Sequence, residues 1–390
     1  MSRSPDLVWL LMLGVAVVGS NSLALSPILS DVAADLGATP VAVARANAAY
    51  GGATALSALC LGGLVDRYGP EKLLVGGLAG LALAMLASAG ATQVEWLALA
   101  QGAAGALAGV ILPATYALAT AIAPEGRGAE TLGRVLTGWS LSLVAGVPAS
   151  AYVAGAFSWR ASYLGFAALL LIASILLARQ PLRVEIRSSG ARTHEVLRRP
   201  EVLPLLLVCL LFMTAFYGVY AYLGDHVRRH LGLSASEAGR VVLAYGIGFG
   251  LGACADRAVD RIGATRPFPW VLATVALVYA AMSPALATVP TILLLSAAWG
   301  FANHFGLNII VLRLTRAAPE ARGSVLALNS ATSYAGALLG AWFFGILYEG
   351  LGFGSVTAAA TVCAGLAALI AFLPAPARPS RQAPSADAAG

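Results

Sequence analysis

Apolar runs of roughly 20 residues, the length that crosses a hydrocarbon core, follow one another along almost the whole chain, separated by short polar stretches. Twelve can be marked, at 7–30, 41–65, 73–91, 95–122, 131–156, 159–179, 203–224, 236–256, 268–287, 290–314, 323–347 and 354–374. Each predicts a membrane-spanning helix, so the expected fold is an all-α membrane protein. The first run lacks a small-residue cleavage site and is too long for a signal peptide, so it is expected to stay in the mature protein. The longest polar interruption, 180–202, carries Arg183, Arg187, Arg192, Arg198 and Arg199 with Pro181, Ser188, Ser189 and Gly190, and reads as a linker. Residues 375–390, rich in Pro, Ala and Ser, read as a disordered tail.

The pattern says the same thing twice. Arg45, Tyr50 and Gly51 recur as Arg240, Tyr245 and Gly246; Asp66-Arg67-Tyr68-Gly69 recurs as Asp260-Arg261-Ile262-Gly263; Ala123-Pro124-Glu125-Gly126-Arg127-Gly128 recurs as Ala318-Pro319-Glu320-Ala321-Arg322-Gly323. One gap aligns all three pairs, roughly 195 residues apart. The expected organisation is a six-helix bundle over 1–179 and a second over 203–374. Six spans per copy give both the same orientation, so they are parallel repeats about the membrane normal, an arrangement of transporters.

Composition agrees: 59% of residues are apolar and only 11% charged, about half the soluble average. The 43 glycines suit helices that approach closely in lipid. Of the 24 basic residues, all but Arg45, Arg160, Arg228, Arg229 and Arg240 fall on one side of the expected topology. By the positive-inside rule that side, with both termini, is cytoplasmic. The net charge of +6 is thus a topology signal and not a nucleic-acid footprint. Cys60, Cys209, Cys254 and Cys363 lie in apolar runs without metal spacing, and read as packing residues with neither disulfides nor a metal site. No phosphate loop or His-Glu-x-x-His motif is present, and Gly246, Gly248, Gly250 and Gly252 alternate inside an apolar span with no soluble strand before it. Neither an enzyme nor a cofactor is expected, and the expected partners are a small-molecule substrate, the lipid bilayer and protons, with the protein a monomer.

Gly62-Gly63-Leu64-Val65-Asp66-Arg67-Tyr68-Gly69, between the second and third spans, resembles the signature loop of the major facilitator superfamily, Gly-x-Leu-x-Asp-Arg-x-Gly. Pro70 and Glu71 stand where two basic residues are usual. The resemblance covers nearly the whole chain. It implies that Asp66 faces Arg322 and Gly323 at the start of span 11 and, by the repeat, that Asp260 faces Arg127 and Gly128. Gly62, Asp66, Arg67, Gly69, Arg127, Asp260, Arg261 and Arg322 would then form a cytoplasmic gate that latches when the cavity opens outward. The other reading is a topology anchor only. Gly138, Gly146, Val147, Pro148 and Gly155 in span 5 resemble a degenerate Gly-Pro motif of the drug:proton antiporter branch, with a helix kink at Gly146 and Pro148. Trp159-Arg160-Ala161-Ser162-Tyr163 resembles the span 5–6 junction of bacterial arabinose- and drug-efflux permeases. Two departures leave the coupling open: Ala98 stands where that branch carries an Arg three residues before Gln101-Gly102, and span 1 has Ser20-Asn21-Ser22 where an acid is common.

The resemblance places spans 1, 4, 7 and 10 around a central cavity. Their candidate substrate ligands are Asn21, Ser22, Gln101, Tyr116, Tyr217, Tyr220, Trp299, Asn303, His304 and Asn308. No cation or carboxylate stands near mid-span there, which disfavours polyanions and multivalent cations and favours a neutral or weakly charged amphipathic molecule. His304, opposite Gly109 in the repeat, reads either as a proton site or as a packed neutral residue. Asp225, beside His226, is a second proton candidate, its position near water favouring a surface role. Arg45 and Arg240 read either as a periplasmic gate, with Asp31, Asp35 or Asp225, or as snorkelling side chains. The expected activity is proton-coupled export of drugs or metabolites across a bacterial inner membrane. The alternatives are a nutrient facilitator or importer of the same fold and a non-transporting sensor or scaffold. The latch predicts that reversing charge at Asp66 changes the ratio of inward- to outward-facing protein, read from cysteine accessibility on the two sides; an unchanged ratio leaves only the anchor.

Overall fold

The computed structural model describes residues 4–61, 64–125, 127–180, 193–255, 266–282 and 288–373. Among them the secondary structure is entirely helical. The long helices are α1 (Ser4–Asp35), α2 (Pro40–Cys60), α3 (Pro70–Ala89), α4 (Val94–Ala121), α5 (Gly128–Leu141 continuing through Ser142–Gly146 and Val147–Ala156), α6 (Trp159–Ala178), α7 (Val202–Leu231), α8 (Ala235–Cys254), α9 (Phe268–Ala281), α10 (Val289–Ala317), α11 (Arg322–Leu351) and α12 (Phe353–Phe372). Short helical turns cover Leu64–Tyr68, Thr193–Leu197 and Pro319–Ala321. The expectations at Gly62, Asp260, Arg261 and the tail lie outside the described residues, as do the side chains of Asp66 and Arg322.

Nine of these helices are long and apolar enough to cross a membrane: α1, α3, α4, α5, α6, α7, α10, α11 and α12. The other three differ for identifiable reasons. α2 and α8 are long enough but rich in Gly, Ala and polar residues, because each is walled by protein: α2 lies against α4 and α11, and α8 against α10 and α5. α9 is a shorter apolar helix flanked on both sides by residues outside the description.

Local chemistry sets several helix ends. Thr39 caps α2 by accepting from the Ala42 N–H, with Pro40 in the first turn, where a missing N–H costs nothing. Ser234 and Glu237 form a reciprocal capping box on α8. Gly232 ends α7 with φ +66°, a left-handed conformation that only a residue without Cβ adopts freely. In α5 the helix widens into a π-type turn over Ser142–Gly146, directly before Pro148, which supplies no N–H to the preceding turn.

Glycines set the distance between helices. Gly105 of α4 sits on the Tyr50 carbonyl of α2, and Gly300 of α10 sits on the Tyr245 carbonyl of α8; a Cβ at either would lie inside van der Waals distance of that oxygen. A matching pair joins more distant parts of the chain. Gly51 of α2 abuts Tyr334 and Ala337 of α11, its Cβ position 3.0 Å from the Tyr334 oxygen, and Gly246 of α8 abuts Leu143 of α5 at 2.9 Å.

The cysteines depart from expectation. Cys209 is buried, but Cys60 and Cys254 are exposed at the ends of α2 and α8, so they do not serve as packing residues.

Gly105→Ala and Gly300→Ala should each destabilise the protein by about 1–3 kcal/mol. Gly102→Ala and Gly250→Ala, where an added Cβ meets nothing within 4 Å, should be neutral. Thermal unfolding of the purified protein in detergent checks this.

Candidate functional site

A chain of hydrogen bonds runs through the middle of α1, α3 and α4. Asn21 donates its Nδ2 to Gln101 Oε1 at 3.1 Å, and Gln101 donates its Nε2 to Ser88 Oγ at 3.0 Å. The Ser88 hydroxyl is spent on the Ala84 carbonyl at 2.9 Å. Asn21, Gln101 and Ser88 are at most 1% exposed. Nearby, Asn47 of α2 donates to the Ser22 carbonyl at 3.3 Å, and the Tyr50 hydroxyl to the Val18 carbonyl at 3.3 Å.

Across from this polar seam lies an aromatic cluster on α7, α8, α9 and α10. Trp299 packs against Tyr245 (4.7 Å between centroids), Phe216 (5.5 Å) and Tyr279 (5.6 Å). Its indole N–H donates to the Tyr279 hydroxyl at 3.0 Å, and Asn303 Nδ2 donates to the Tyr245 hydroxyl at 3.1 Å. Off-parallel ring pairs at these separations stabilise beyond simple burial, and each indole or phenol needs a polar partner when buried.

A cleft lies beside the two groups, lined by Ser22, Ser26, Asn47, Tyr50, Tyr217, Tyr220 and Tyr334 among others. No Lys, Arg, Asp or Glu lines it. It holds about 460 Å³ of unfilled space, but only about 20 Å³ of that is wide enough for the centre of a water molecule. Ser26 and Tyr220 also border a smaller cleft that reaches Tyr245 and Trp299. Several buried polar atoms around these clefts make no hydrogen bond: Oδ1 of Asn21, Asn47 and Asn303, and the hydroxyls of Tyr220 and Tyr334.

The walls of the main cleft come from α1, α2, α7 and α11, not from the expected set of α1, α4, α7 and α10. The reason is the close approach of α2 to α11 through Gly51, which puts Tyr50 and Tyr334 edge to face at 6.0 Å. Ser22, Tyr217 and Tyr220 line the main cleft as sequence expected, and Trp299 lines the smaller one. Gln101 sits behind it through Asn21, and Asn303 behind Tyr245. Tyr116 instead meets Trp139, whose indole N–H lies 3.4 Å from its hydroxyl. His304 lies in the seam between α8 and α10: Gly252 leaves room for its side chain, Phe249 faces its ring at 4.9 Å, and Asn308 bonds its Nε2 at 3.0 Å. Tyr50, Asn47 and Tyr334 line the cleft without having been expected there; for Tyr50 the signal in the sequence is its recurrence as Tyr245 in the repeated motif.

The helices close tightly at the end where α1 leads into α2. Arg228 of α7 grips Asp31 of α1 with both guanidinium arms, at 2.6 and 2.8 Å. Asp225 accepts from Ser30 of α1, from Arg229 at 3.0 Å, and from the Tyr348 hydroxyl of α11 at 2.6 Å. Ser26 donates to the Tyr220 carbonyl, and Gly224 lets α7 pack on the Ser26 backbone. Asp225 is 0% exposed. This corrects the surface role expected from its sequence position: α7 runs as one helix to Leu231, well past the apolar run ending at 224, and α1 and α11 cover the overhang. Arg45 places its guanidinium 5.0 Å from the centre of the Trp342 ring of α11, a contact across helices and not a lone snorkelling chain. Arg240 is exposed and takes part in none of the ion pairs among the described residues. Asp35 is engaged by Trp159 and Arg160 of α6.

The opposite end has a cavity of its own. A cavity with about 240 Å³ of water-sized room opens between α1, α4 and α5, lined by Trp9, Arg127, Glu130, Arg134 and Thr137 among others. Arg127 and Arg134 both turn to Glu130, at 3.9 and 2.8 Å, and Arg67 lies over the Tyr68 ring.

Long apolar helices around an uncharged polar and aromatic cleft, with ion pairs tying α1 to α7 at one end, are the build of a multi-pass membrane transporter. The chain belongs to the Major Facilitator Superfamily, whose family model matches residues 11–315 and again 223–390. It is similar to two transporters of Bacillus subtilis (strain 168). The uncharacterized MFS-type transporter YwfA is 26% identical over 368 residues, covering 92% of this chain and 89% of YwfA. The uncharacterized MFS-type transporter YceJ is also 26% identical over 368 residues, covering 90% and 91%.

If the Asp31–Arg228 pair holds this end shut, Arg228→Gln should loosen it. A pair this exposed is worth about 1 kcal/mol, so the open population should rise about fivefold. The readout is thiol labelling of Leu29→Cys in a cysteine-free background, with the charge-swapped pair Asp31→Arg, Arg228→Asp restoring slow labelling.

Proposed function

We propose that this protein is a secondary active exporter of small amphipathic organic molecules, driven by protons through alternating access. On this reading twelve helices span a bacterial inner membrane, both termini are cytoplasmic, and a monomer of two parallel six-helix repeats encloses the substrate. The observation that carries the reading is the buried, uncharged cleft with unpaired amide oxygens and hydroxyls. Water is scarce at membrane depth, so such atoms are expected to meet a substrate there. The matching glycine contacts, Gly51 against α11 and Gly246 against α5, support two equivalent interfaces between the repeats. The second family match over 223–390 supports the duplication.

The end sealed by Asp31, Asp225, Arg228 and Tyr348 is then periplasmic, with Arg45 on the seal, and the end around Arg127 and Arg134 cytoplasmic, which makes the conformation inward-facing on this reading. For coupling, geometry favours Asp225 over His304. Asp225 is held by Ser30 of the other repeat, so parting the repeats changes its surroundings, whereas the described ring and hydrogen-bond contacts of His304 with Phe249, Phe305 and Asn308 lie within one repeat. A carboxylate that differs between states is what proton coupling requires. Facilitated diffusion is the second reading, favoured by Ala98 in place of the usual span-4 cation.

Everted membrane vesicles test the proposal. Uptake of an amphipathic substrate should collapse with a protonophore. Asp225→Asn should lose proton-driven accumulation while keeping substrate exchange, and His304→Gln should keep both. Uptake indifferent to the protonophore would establish facilitation instead.

A further inference from the structure

The polarity of the hydrogen bonds around the cleft fixes what it lacks. The Ala84 carbonyl can only accept, so the Ser88 hydroxyl donates to it, and its oxygen must accept from the Gln101 amide nitrogen. Gln101 therefore turns its oxygen to Asn21, which donates, leaving Asn21 Oδ1 unpaired. Asn47 is fixed the same way, because its partner is the Ser22 backbone carbonyl, and its Oδ1 is also unpaired. Asn303 donates to the Tyr245 hydroxyl, and its Oδ1 is unpaired too. Three buried asparagines thus each spend an N–H on the protein and leave an oxygen over. The cleft wall adds the faces of Tyr50, Tyr217, Tyr220 and Tyr334, with no carboxylate and no cation.

An anion would find donors in the Tyr220 and Tyr334 hydroxyls but no cation, and would meet the Asn47 oxygen, so it is disfavoured. A hydrocarbon would leave them all unpaired, at the desolvation cost of each. A protonated amine offers up to three N–H donors on one small head, and its charge is attracted by tyrosine faces. We infer that the substrate is an aromatic amine, its ring held among the tyrosines and an N–H donated to the oxygen of Asn47 on the cleft wall. This rests on the transport reading above and names the substrate class of that site.

Phenethylamine, its N,N,N-trimethyl derivative, phenethyl alcohol and phenylpropionate separate the contributions, with binding to the full-length protein in nanodiscs followed by calorimetry. The trimethyl compound keeps ring and charge but has no donor. The amine should bind about tenfold or more tightly than the trimethyl compound or the acid. Asn47→Leu should remove that preference, and Asn47→Asp should strengthen it. Gly250→Ala, which adds a Cβ into open space on α8, should keep the preference for the amine, and binding of phenethyl alcohol by Asn47→Leu serves as its folding control. Equal binding of amine and trimethyl compound, or stronger binding of the acid, overturns the inference. Proteoliposome uptake of a mixed panel of sugars, carboxylates and neutral amphipaths separates the two levels: transport of these without amines defeats only the amine inference, and transport of nothing, amines included, defeats the transport reading as well.

Discussion

A polar side chain in the middle of a membrane bundle has no bulk water to fall back on, so it must find a partner inside the protein or meet one that arrives. Most of this structure follows from how that demand is met. Asn21, Gln101 and Ser88 tie α1, α4 and α3 into one unit by passing a single direction of donation from residue to residue. Trp299, Tyr279, Asn303 and Tyr245 do the same for α8, α9 and α10. Three of the atoms left unpaired, on Asn47, Tyr220 and Tyr334, lie on the wall of one cleft and give it its chemical character.

The second constraint is distance. The paired clusters meet only because α2 and α8 come close to their neighbours on glycine, at Gly51 against α11 and Gly246 against α5. Beyond those contacts the overhanging ends of α1, α7 and α11 carry the charged groups that finish the closure. Asp225 is buried there without being isolated: Ser30, Arg229 and Tyr348 surround it. A buried carboxylate bonded across two helices far apart in the chain has different surroundings if they part, which is what the proposed coupling role of Asp225 draws on.

Much of this was legible in the sequence. Hydropathy located the helices because apolar length is what lipid selects, and the recurring Arg45, Tyr50 and Gly51 marked α2 and α8 as equivalent. Hydropathy measures the length in lipid and not the length of the helix, so the overhangs carrying Asp31, Asp225 and Arg228 read as loops. Ser22, Tyr217, Tyr220 and Trp299 could be named as candidates because the family resemblance put their spans at the cavity. Tyr50, Asn47 and Tyr334 could not, because they reach the cleft through helix–helix contacts that no single-helix pattern encodes. His304 looked like a site because it is the one mid-span histidine, yet the space left by Gly252 puts it in a seam.

The central claim is that the bundle alternates about this cleft, closing one end as it opens the other. Electron-resonance distance measurement between spin labels tests it directly, with one pair at Thr39 and Leu351 and a second at Glu125 and Arg316. Adding substrate or changing pH should lengthen the first distance while shortening the second. Distances at both ends that rise together, or that do not respond, would contradict the account.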